Sequence, residues 1–174
     1  DASRRWKKEW HFRIGVHLLR GLANPNEAGR QYADLASAVI AAIYPVVEEH
    51  FALRYGPPPG RGVAVLGMGS LGARRLNARS DLDVIVIYDP STTEMSEGKK
   101  PMAVRPYFAR LTQALITAMT AQMAQGRLYD VDMRLRPSGK QGPVATSWVG
   151  FQNYQKTEAW IWEHLALTRA RIVA

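Results

Sequence analysis

The chain contains no cysteine, so neither a disulfide framework nor a thiolate zinc site is available to it. Its four histidines show no spacing typical of metal ligands, and we interpret His11, His17 and His50 as structural. These absences exclude disulfide-stabilised secreted domains and zinc–thiolate proteins as classes.

The sequence also has no long apolar run and no secretory signal pattern. No stretch approaches the ~20 apolar residues that a membrane-spanning helix needs. With 47% hydrophobic and 22% charged residues, the chain can bury a sizeable core. We therefore expect a soluble cytoplasmic protein that does not engage a membrane. Both ends start or stop within a helix-like pattern, which predicts a domain of a longer protein.

Positive charge is in excess: 23 Lys and Arg stand against 15 Asp and Glu, a net charge of +8. Such an excess is compatible with nucleic acid, nucleotide phosphates or an acidic partner. The basic residues are spread along the chain, however, and only the segment from Arg4 to Lys8 forms a tight cluster. We interpret most of them as solvated surface and do not expect nucleic acid as a partner.

The N-terminal third has a helical pattern. Apolar spacing predicts one helix over residues 4–22 and a second over 27–55, with Pro25 in the break between them. Pro45 is expected to kink or divide the second helix. A Gly-Pro-Pro-Pro-Gly segment then predicts a stiff linker. The predicted parts are a helical part at 1–55, a linker at 56–60 and a further domain at 61–174.

After the linker, strand patterns alternate with helix patterns. Residues 63–66 and 83–88 predict strands, with a glycine turn between them, and residues 89–104 predict a polar loop. A helix follows, with an apolar face from Tyr107 to Met123. A third strand is predicted at 128–135, and Ser147 is placed to cap a last helix that runs to about residue 172.

Two aspartates one residue apart head the second predicted strand. Asp81 and Asp83 are at positions i and i+2, so both side chains point to the same face. Adjacent carboxylates are costly unless a cation neutralises them, and Mg²⁺ takes oxygen ligands that it shares with substrate phosphates. Gly69 and Ser70, upstream, offer backbone N–H groups and a hydroxyl for such phosphates. The set predicts a metal-dependent nucleotidyl-transfer site.

Charged residues alternate with apolar ones along the third predicted strand. The pattern places Asp130, Asp132, Arg134 and Arg136 on one face. Asp132 is suited to ligating a metal and accepting the proton of an attacking hydroxyl, and either arginine is suited to binding phosphate. A surface strand with cross-strand salt bridges explains the same pattern. The aspartate pair of the second strand favours the functional interpretation.

The glycines allow a competing interpretation. Gly67, Gly69 and Gly72 fit the dinucleotide-binding fingerprint, and Asp89 ends the next strand. Residues 73–80 are short for a crossover helix, however, and this interpretation gives the aspartate pair no role. We therefore disfavour it.

These residues resemble the nucleotidyltransferase superfamily, with its Gly-Ser turn, Asp-x-Asp pair and third aspartate. More closely, the chain resembles the catalytic domains of the glutamine synthetase adenylyltransferase family. The matching stretches are residues 67–72, 80–83, 129–139, 142–143, 158–164 and 169–171. Residues 154–160 are more similar to the adenylylating copy than to the other catalytic copy of that family. One departure is Ser70, where the family usually has Lys.

The resemblance implies an α+β fold, in which a nucleotidyltransferase-like mixed β-sheet is flanked by helices and preceded by a helical part. It implies that AMP passes from ATP to a tyrosine of glutamine synthetase and thereby regulates nitrogen assimilation. Asp81, Asp83 and Asp132 would be the catalytic residues and would hold two Mg²⁺ ions. The expected nucleotide-binding residues are Gly69, Ser70, Ser80, Arg134 and Arg136.

Three alternatives remain open at this point. One is the copy that removes AMP by phosphorolysis, and another is a nucleotidyltransferase that acts on RNA or another acceptor with the same three carboxylates. The third is a module that binds ATP without turnover. Glutamine synthetase is the expected partner, and a PII-type signal protein is expected to act through regions outside this chain.

Overall fold

The computed structural model describes residues 1–174 and contains a mixed five-stranded sheet with helices packed on both faces. A 3₁₀ turn at Gly139–Gln141 lies in the loop after β3. The expected α+β fold, with a mixed sheet and an N-terminal helical part, is confirmed. The elements are α1 (Ala2–Leu19), α2 (Pro25–Tyr55), β1 (Gly62–Gly67), α3 (Gly69–Gly72), β2 (Leu82–Asp89), α4 (Val104–Thr120), β3 (Val131–Asp132), β4 (Thr146–Ser147), α5 (Trp148–Thr157), α6 (Ile161–Leu167) and β5 (Arg171–Ile172).

The sheet is built around β2. Strand β1 pairs with β2 in antiparallel orientation, and β5 pairs with the far side of β1. Strands β3 and β4 are both parallel to β2, β3 at its start and β4 near its end. Val84 and Val86 join the larger core on one face, while Ile85 and Ile87 join the smaller core on the other. Burial on both faces explains why β2 has a continuous apolar run.

Helix α2 begins at a capping box. The Asn24 side chain accepts a hydrogen bond from the Glu27 N–H at 3.0 Å, and the Glu27 side chain accepts one from the Asn24 N–H at 2.9 Å. The helix continues through Pro45 instead of dividing there. Pro45 is exposed, so the carbonyl that loses its helical donor can be hydrated.

The larger core spans the predicted linker. A cluster of 26 buried residues combines side chains of α2, such as Ala36 and Val39, with those of β2 and α4. The expectation that no stretch approaches the length of a membrane span is wrong for α2, which by length and composition alone is long and apolar enough to cross a membrane. In this structure eight of its residues are buried, which accounts for its apolar stripe as core. The division of the chain at residues 56–60 stays a prediction.

The C-terminal third differs from the predicted elements. Strand β3 covers two residues rather than 128–135, because the Asp132 carboxylate accepts the Arg134 N–H at 2.8 Å and turns the chain. The single helix predicted from Ser147 to residue 172 is wrong as well. Ser147 caps α5 as predicted, but the segment divides into α5, α6 and β5. Helix α4 ends at Thr120, so Met123 lies outside it.

Candidate active site

Asp83 and Asp132, both predicted to be catalytic, lie side by side. They face each other across the parallel pairing of β2 with β3, so their side chains share one face of the sheet. This face also carries Ile85 and Ile87, against which residues of α5 and α6 pack. The sequence predicted that the two aspartates share a site, but it did not predict this parallel pairing.

The surroundings of Asp83 oppose its ionisation. Burial, followed by the negative charges of Asp81 and Asp132, raises the pKa of the Asp83 carboxyl above its ordinary value. The positive charges of Arg134 and Arg169 offset part of this effect. A bound cation would favour the carboxylate and so offset both the burial and the neighbouring negative charges.

Asp132 is held by an arginine from its own strand end. The Arg134 backbone N–H donates to Oδ1 at 2.8 Å, Nε–H donates to Oδ2 at 2.6 Å, and Nη2 lies 2.5 Å from Oδ2. The side-chain hydrogen bond is the largest of the effects that lower the pKa of Asp132. The Arg134 side chain is 66% exposed and that of Asp132 is 12% exposed. Arg134 therefore neutralises the carboxylate from the solvent side.

The glycine turn lies directly against Asp83. Gly69 has a φ of +50°, and a Cβ at this position would lie 2.2 Å from Asp83 Oδ2, so glycine suits both the backbone and the space. The Met68 N–H donates to the Asp83 carbonyl at 2.8 Å and joins the turn to β2. Gly69 and Ser70 thus lie at the aspartate end of β2. The first backbone N–H groups of a helical turn have no hydrogen-bond acceptor within the turn, so they are available to a phosphate.

Gly72 accounts for the rest of the glycine fingerprint. A Cβ on Gly72 would lie 1.9 Å from the Arg169 carbonyl oxygen, so this glycine lets the C-terminal segment pass close to the turn. Helix α3 has only four residues, and β2 then returns antiparallel to β1. A dinucleotide-binding fold needs a crossover to a parallel strand. The geometry therefore excludes the competing interpretation.

Ser80 and Arg136 shape the two loops that flank the aspartates. The Ser80 hydroxyl accepts a hydrogen bond from the Asn77 N–H at 3.1 Å and closes the turn before Asp81. Arg136 closes the loop after β3. The Arg136 guanidinium donates to three carbonyls, those of Met133 at 2.8 Å, Lys140 at 3.1 Å and Gly142 at 3.2 Å. The nucleotide-binding roles predicted for Ser80 and Arg136 stay predictions.

Arg169 and Arg171, near the C-terminus, make different contacts. The charge of Arg169 acts on the Asp83 carboxyl. Arg171 donates to the Ser37 hydroxyl at 2.9 Å and to the Leu71 carbonyl at 3.3 Å, and so ties α3 to α2. The Arg-Ala-Arg stretch at 169–171 indicates two arginines that either line the site from the last helix or form a solvated helix end. In the structure Arg171 begins the short strand β5 instead, and its partners come from segments that are distant in the chain.

The aspartate oxygens are suitable ligands for a hard cation, although the carboxylates are not arranged around a common metal position. No group of three acidic or histidine side chains reaches metal-ligand spacing in the structure. Both oxygens of Asp132 are engaged by Arg134, which keeps them from a shared site with Asp83. The fit rests on oxygen chemistry: three aspartates gather at one end of β2, and burial, followed by the negative charges of Asp81 and Asp132, raises the pKa of Asp83.

A glycine turn packed on an aspartate of the central strand, with a further aspartate on the parallel neighbour, defines a nucleotidyltransferase-like α+β protein. Comparison with protein families is more specific. The family model for glutamate–ammonia ligase adenylyltransferase matches residues 1–174. The chain belongs to this family, and the resemblance seen in the sequence is confirmed.

Curated relatives show the same relationship. Each of three is named a bifunctional glutamine synthetase adenylyltransferase/adenylyl-removing enzyme. The relative from Xanthobacter autotrophicus is 48% identical over 100% of this chain, that from Mesorhizobium japonicum 49% over 99%, and that from Rhizobium meliloti 51% over 99%. The chain spans 18% of the length of each of these relatives. Because their names combine both activities, they do not distinguish the adenylylating from the removing copy.

Proposed function

We propose that this chain is a catalytic domain that transfers AMP from ATP to a tyrosine of glutamine synthetase. The observation that carries the proposal is the pairing of Asp83 with Asp132, with Gly69 packed against Asp83. Relatives that act on glutamine synthetase by name support the choice of target. The modification would take place in the cytoplasm and regulate nitrogen assimilation, with a PII-type signal protein acting through regions outside this chain.

Asp81, Asp83 and Asp132 are the residues that would hold Mg²⁺, with two ions proposed. Bound there, the metal would neutralise the triphosphate and the charge that develops during transfer. Gly69 and Ser70 would hold the terminal phosphates through turn amides and the exposed Ser70 hydroxyl.

The attacking group would be oriented by Asp132. An aspartate carboxylate is ionised at neutral pH, so Asp132 would accept the proton of a tyrosine hydroxyl. The tyrosine oxygen then forms a bond to the α-phosphorus while the bond from that phosphorus to the bridging oxygen breaks. Pyrophosphate leaves, and Arg134 would bind its phosphate oxygens.

The direction of transfer rests on the resemblance of residues 154–160 to the adenylylating copy. These residues include the end of α5 and the turn into α6, where the Tyr154 hydroxyl donates to Glu163 at 2.9 Å. Both directions use the same phosphorus and the same carboxylates. They differ in the acceptor, which is a tyrosine hydroxyl for addition and inorganic phosphate for removal.

The test is label transfer from ATP labelled at the α-phosphate to purified glutamine synthetase in the presence of Mg²⁺. We expect label on the enzyme with the wild-type chain, none with Asp83→Asn or Asp132→Asn, and normal transfer with Asp130→Asn. Asp130 is a matched control because it is exposed and paired with Arg127. Release of ADP from adenylylated enzyme and phosphate, without forward transfer, would identify the removing copy. Label on an RNA acceptor alone would identify a different nucleotidyltransferase.

A further inference from the structure

We propose that Arg134 occupies the metal-ligand oxygens of Asp132 in the ligand-free protein and moves to the nucleotide phosphates when the divalent cation binds. This inference rests on the proposed function, since it takes Asp132 as a metal ligand. It makes Arg134 a positioning residue for the metal site as well as a phosphate-binding residue.

The geometry makes the arginine and a metal ion mutually exclusive at Asp132 Oδ2. Two guanidinium nitrogens of Arg134 lie 2.5 and 2.6 Å from this oxygen. An ion with ligand distances of about 2.0–2.1 Å cannot take the same lone pairs while they are donated to. The Arg134 backbone N–H bond to Oδ1 depends on the main chain alone, so it can persist when the side chain leaves.

Arg134 is also free to leave. Its side chain is 66% exposed, and its only hydrogen bonds in the structure are those to Asp132. Its guanidinium lies beside the Asp132 carboxylate at the start of β2, where the proposed metal would bind. A divalent ion bound there would repel it, and two oxygens of a phosphate can accept from the planar guanidinium in the same bidentate way as those of a carboxylate.

Arg136 and Arg127 show that this arrangement is particular to Arg134. Arg136 donates to three backbone carbonyls of its own loop, and these bonds do not compete with a metal. Arg127 pairs with Asp130, which is exposed and lies outside β3. Of these three arginines, only Arg134 both pairs with a predicted metal ligand and faces the solvent, from which a nucleotide would arrive.

The exchange couples the two ligands. Phosphate that draws Arg134 away leaves Asp132 available to the cation, and a cation at Asp132 leaves Arg134 available to phosphate. Each ligand should therefore bind more weakly alone than in the presence of the other.

The experiment compares Arg134→Gln with Arg127→Gln in the 174-residue chain, with Mn²⁺ as the probe and free Mn²⁺ measured by electron paramagnetic resonance. Both variants lose one positive charge, so their difference removes the general electrostatic effect. We expect Arg134→Gln to bind Mn²⁺ about tenfold more tightly without nucleotide and Arg127→Gln to change affinity by less than about twofold. Adding Asp132→Asn to Arg134→Gln should abolish the gain.

A second measurement separates exchange from a structural role. Metal-free ATP binding, measured by equilibrium dialysis, should weaken about tenfold in Arg134→Gln, opposite in sign to the Mn²⁺ effect. Equal Mn²⁺ affinity in wild type and Arg134→Gln, with circular dichroism showing both folded, would overturn the exchange while leaving the metal site intact. A wild-type chain that binds no Mn²⁺ at all would overturn the metal-dependent function and the exchange together.

Discussion

At the residue scale, Gly69 links backbone conformation to the chemistry of the site. A Cβ added there would meet the Asp83 carboxylate, a movable side-chain end, so we expect Gly69→Ala to turn Asp83 away from the metal position. The left-handed backbone adds a stability cost of about 1–2 kcal/mol. Urea unfolding and Mn²⁺ binding measure the two effects separately.

Gly21 provides the matched control for this substitution. It has a φ of +69° and nothing within 4 Å of an added Cβ, so Gly21→Ala carries the backbone cost without a clash. We expect the two alanine variants to lose similar stability, and only Gly69→Ala to lose Mn²⁺ affinity. Normal Mn²⁺ binding by Gly69→Ala would show that the turn does not position Asp83.

The raised pKa of Asp83 predicts how metal-free stability depends on pH. A carboxyl that holds its proton more tightly in the folded state opposes folding once it ionises. Asp83→Asn should therefore be more stable than wild type at neutral pH without metal. The difference should shrink as the pH falls through the raised pKa and vanish below the ordinary aspartate value of about 3.9. Thermal unfolding across this range is the measurement.

Mg²⁺ should reverse this order. Mg²⁺ at about 100 times its Kd should raise the free energy of unfolding of the wild type by about 2.7 kcal/mol. Asp83→Asn should not gain this stabilisation. Asp130→Asn serves as the control, because Asp130 is exposed and paired with Arg127. A wild type that is more stable than Asp83→Asn at neutral pH without metal would contradict the charge repulsion assigned to the site.

Some of these residue contacts were predictable and some were not. The i and i+2 spacing of Asp81 and Asp83 and the apolar run after them indicated a carboxylate site at a buried strand. The hydrogen bonds from Arg134 to Asp132 were not predicted, because they depend on the chain turning immediately after β3. The alternating charge pattern favoured a continuing strand, in which the two side chains would only have been neighbours on one face.

At the element scale, Arg136 determines the shape of the loop after β3. Its guanidinium donates to three carbonyls of this segment, so Arg136→Gln should leave acceptors unsatisfied and cost about 1.5–3 kcal/mol of stability. Arg127→Gln, whose exposed side chain pairs with the exposed Asp130, is the matched control and should unfold close to wild type. Weakened ATP binding by Arg136→Gln with unchanged stability would instead support the direct phosphate contact predicted from sequence.

The elements themselves were predicted in proportion to their local signals. Strands β1 and β2 and the capped helix α5 follow from apolar runs, a glycine turn and Ser147. The break between α5 and α6 depends on Glu163, whose carboxylate accepts the Trp160 N–H at 2.8 Å and restarts the helix. Strand β5 forms only by pairing with β1, almost the whole length of the domain away in sequence. Periodicity carries no information on such pairings.

At the scale of the whole molecule, the helical part and the sheet share one core. Ala33, Ala36, Val39 and Ile40 of α2 are at most 2% exposed and belong to the same cluster as Val84 and Val86 of β2. The Gly-Pro-rich segment at 56–60 marks a change of secondary structure along the chain. The core on either side of it is continuous.

The shared core predicts that residues 61–174 do not fold without the helices. Removing 1–60 would expose the sheet face that α2 covers, and truncating even one contact, Ile40→Ala, should cost about 2–5 kcal/mol in the full chain. We expect the full chain to unfold in one urea transition, with circular dichroism and tryptophan fluorescence coinciding. Residues 61–174 alone should show no cooperative transition. A 61–174 fragment that unfolds cooperatively with the full chain's midpoint would establish residues 56–60 as a true domain boundary and contradict the continuous core.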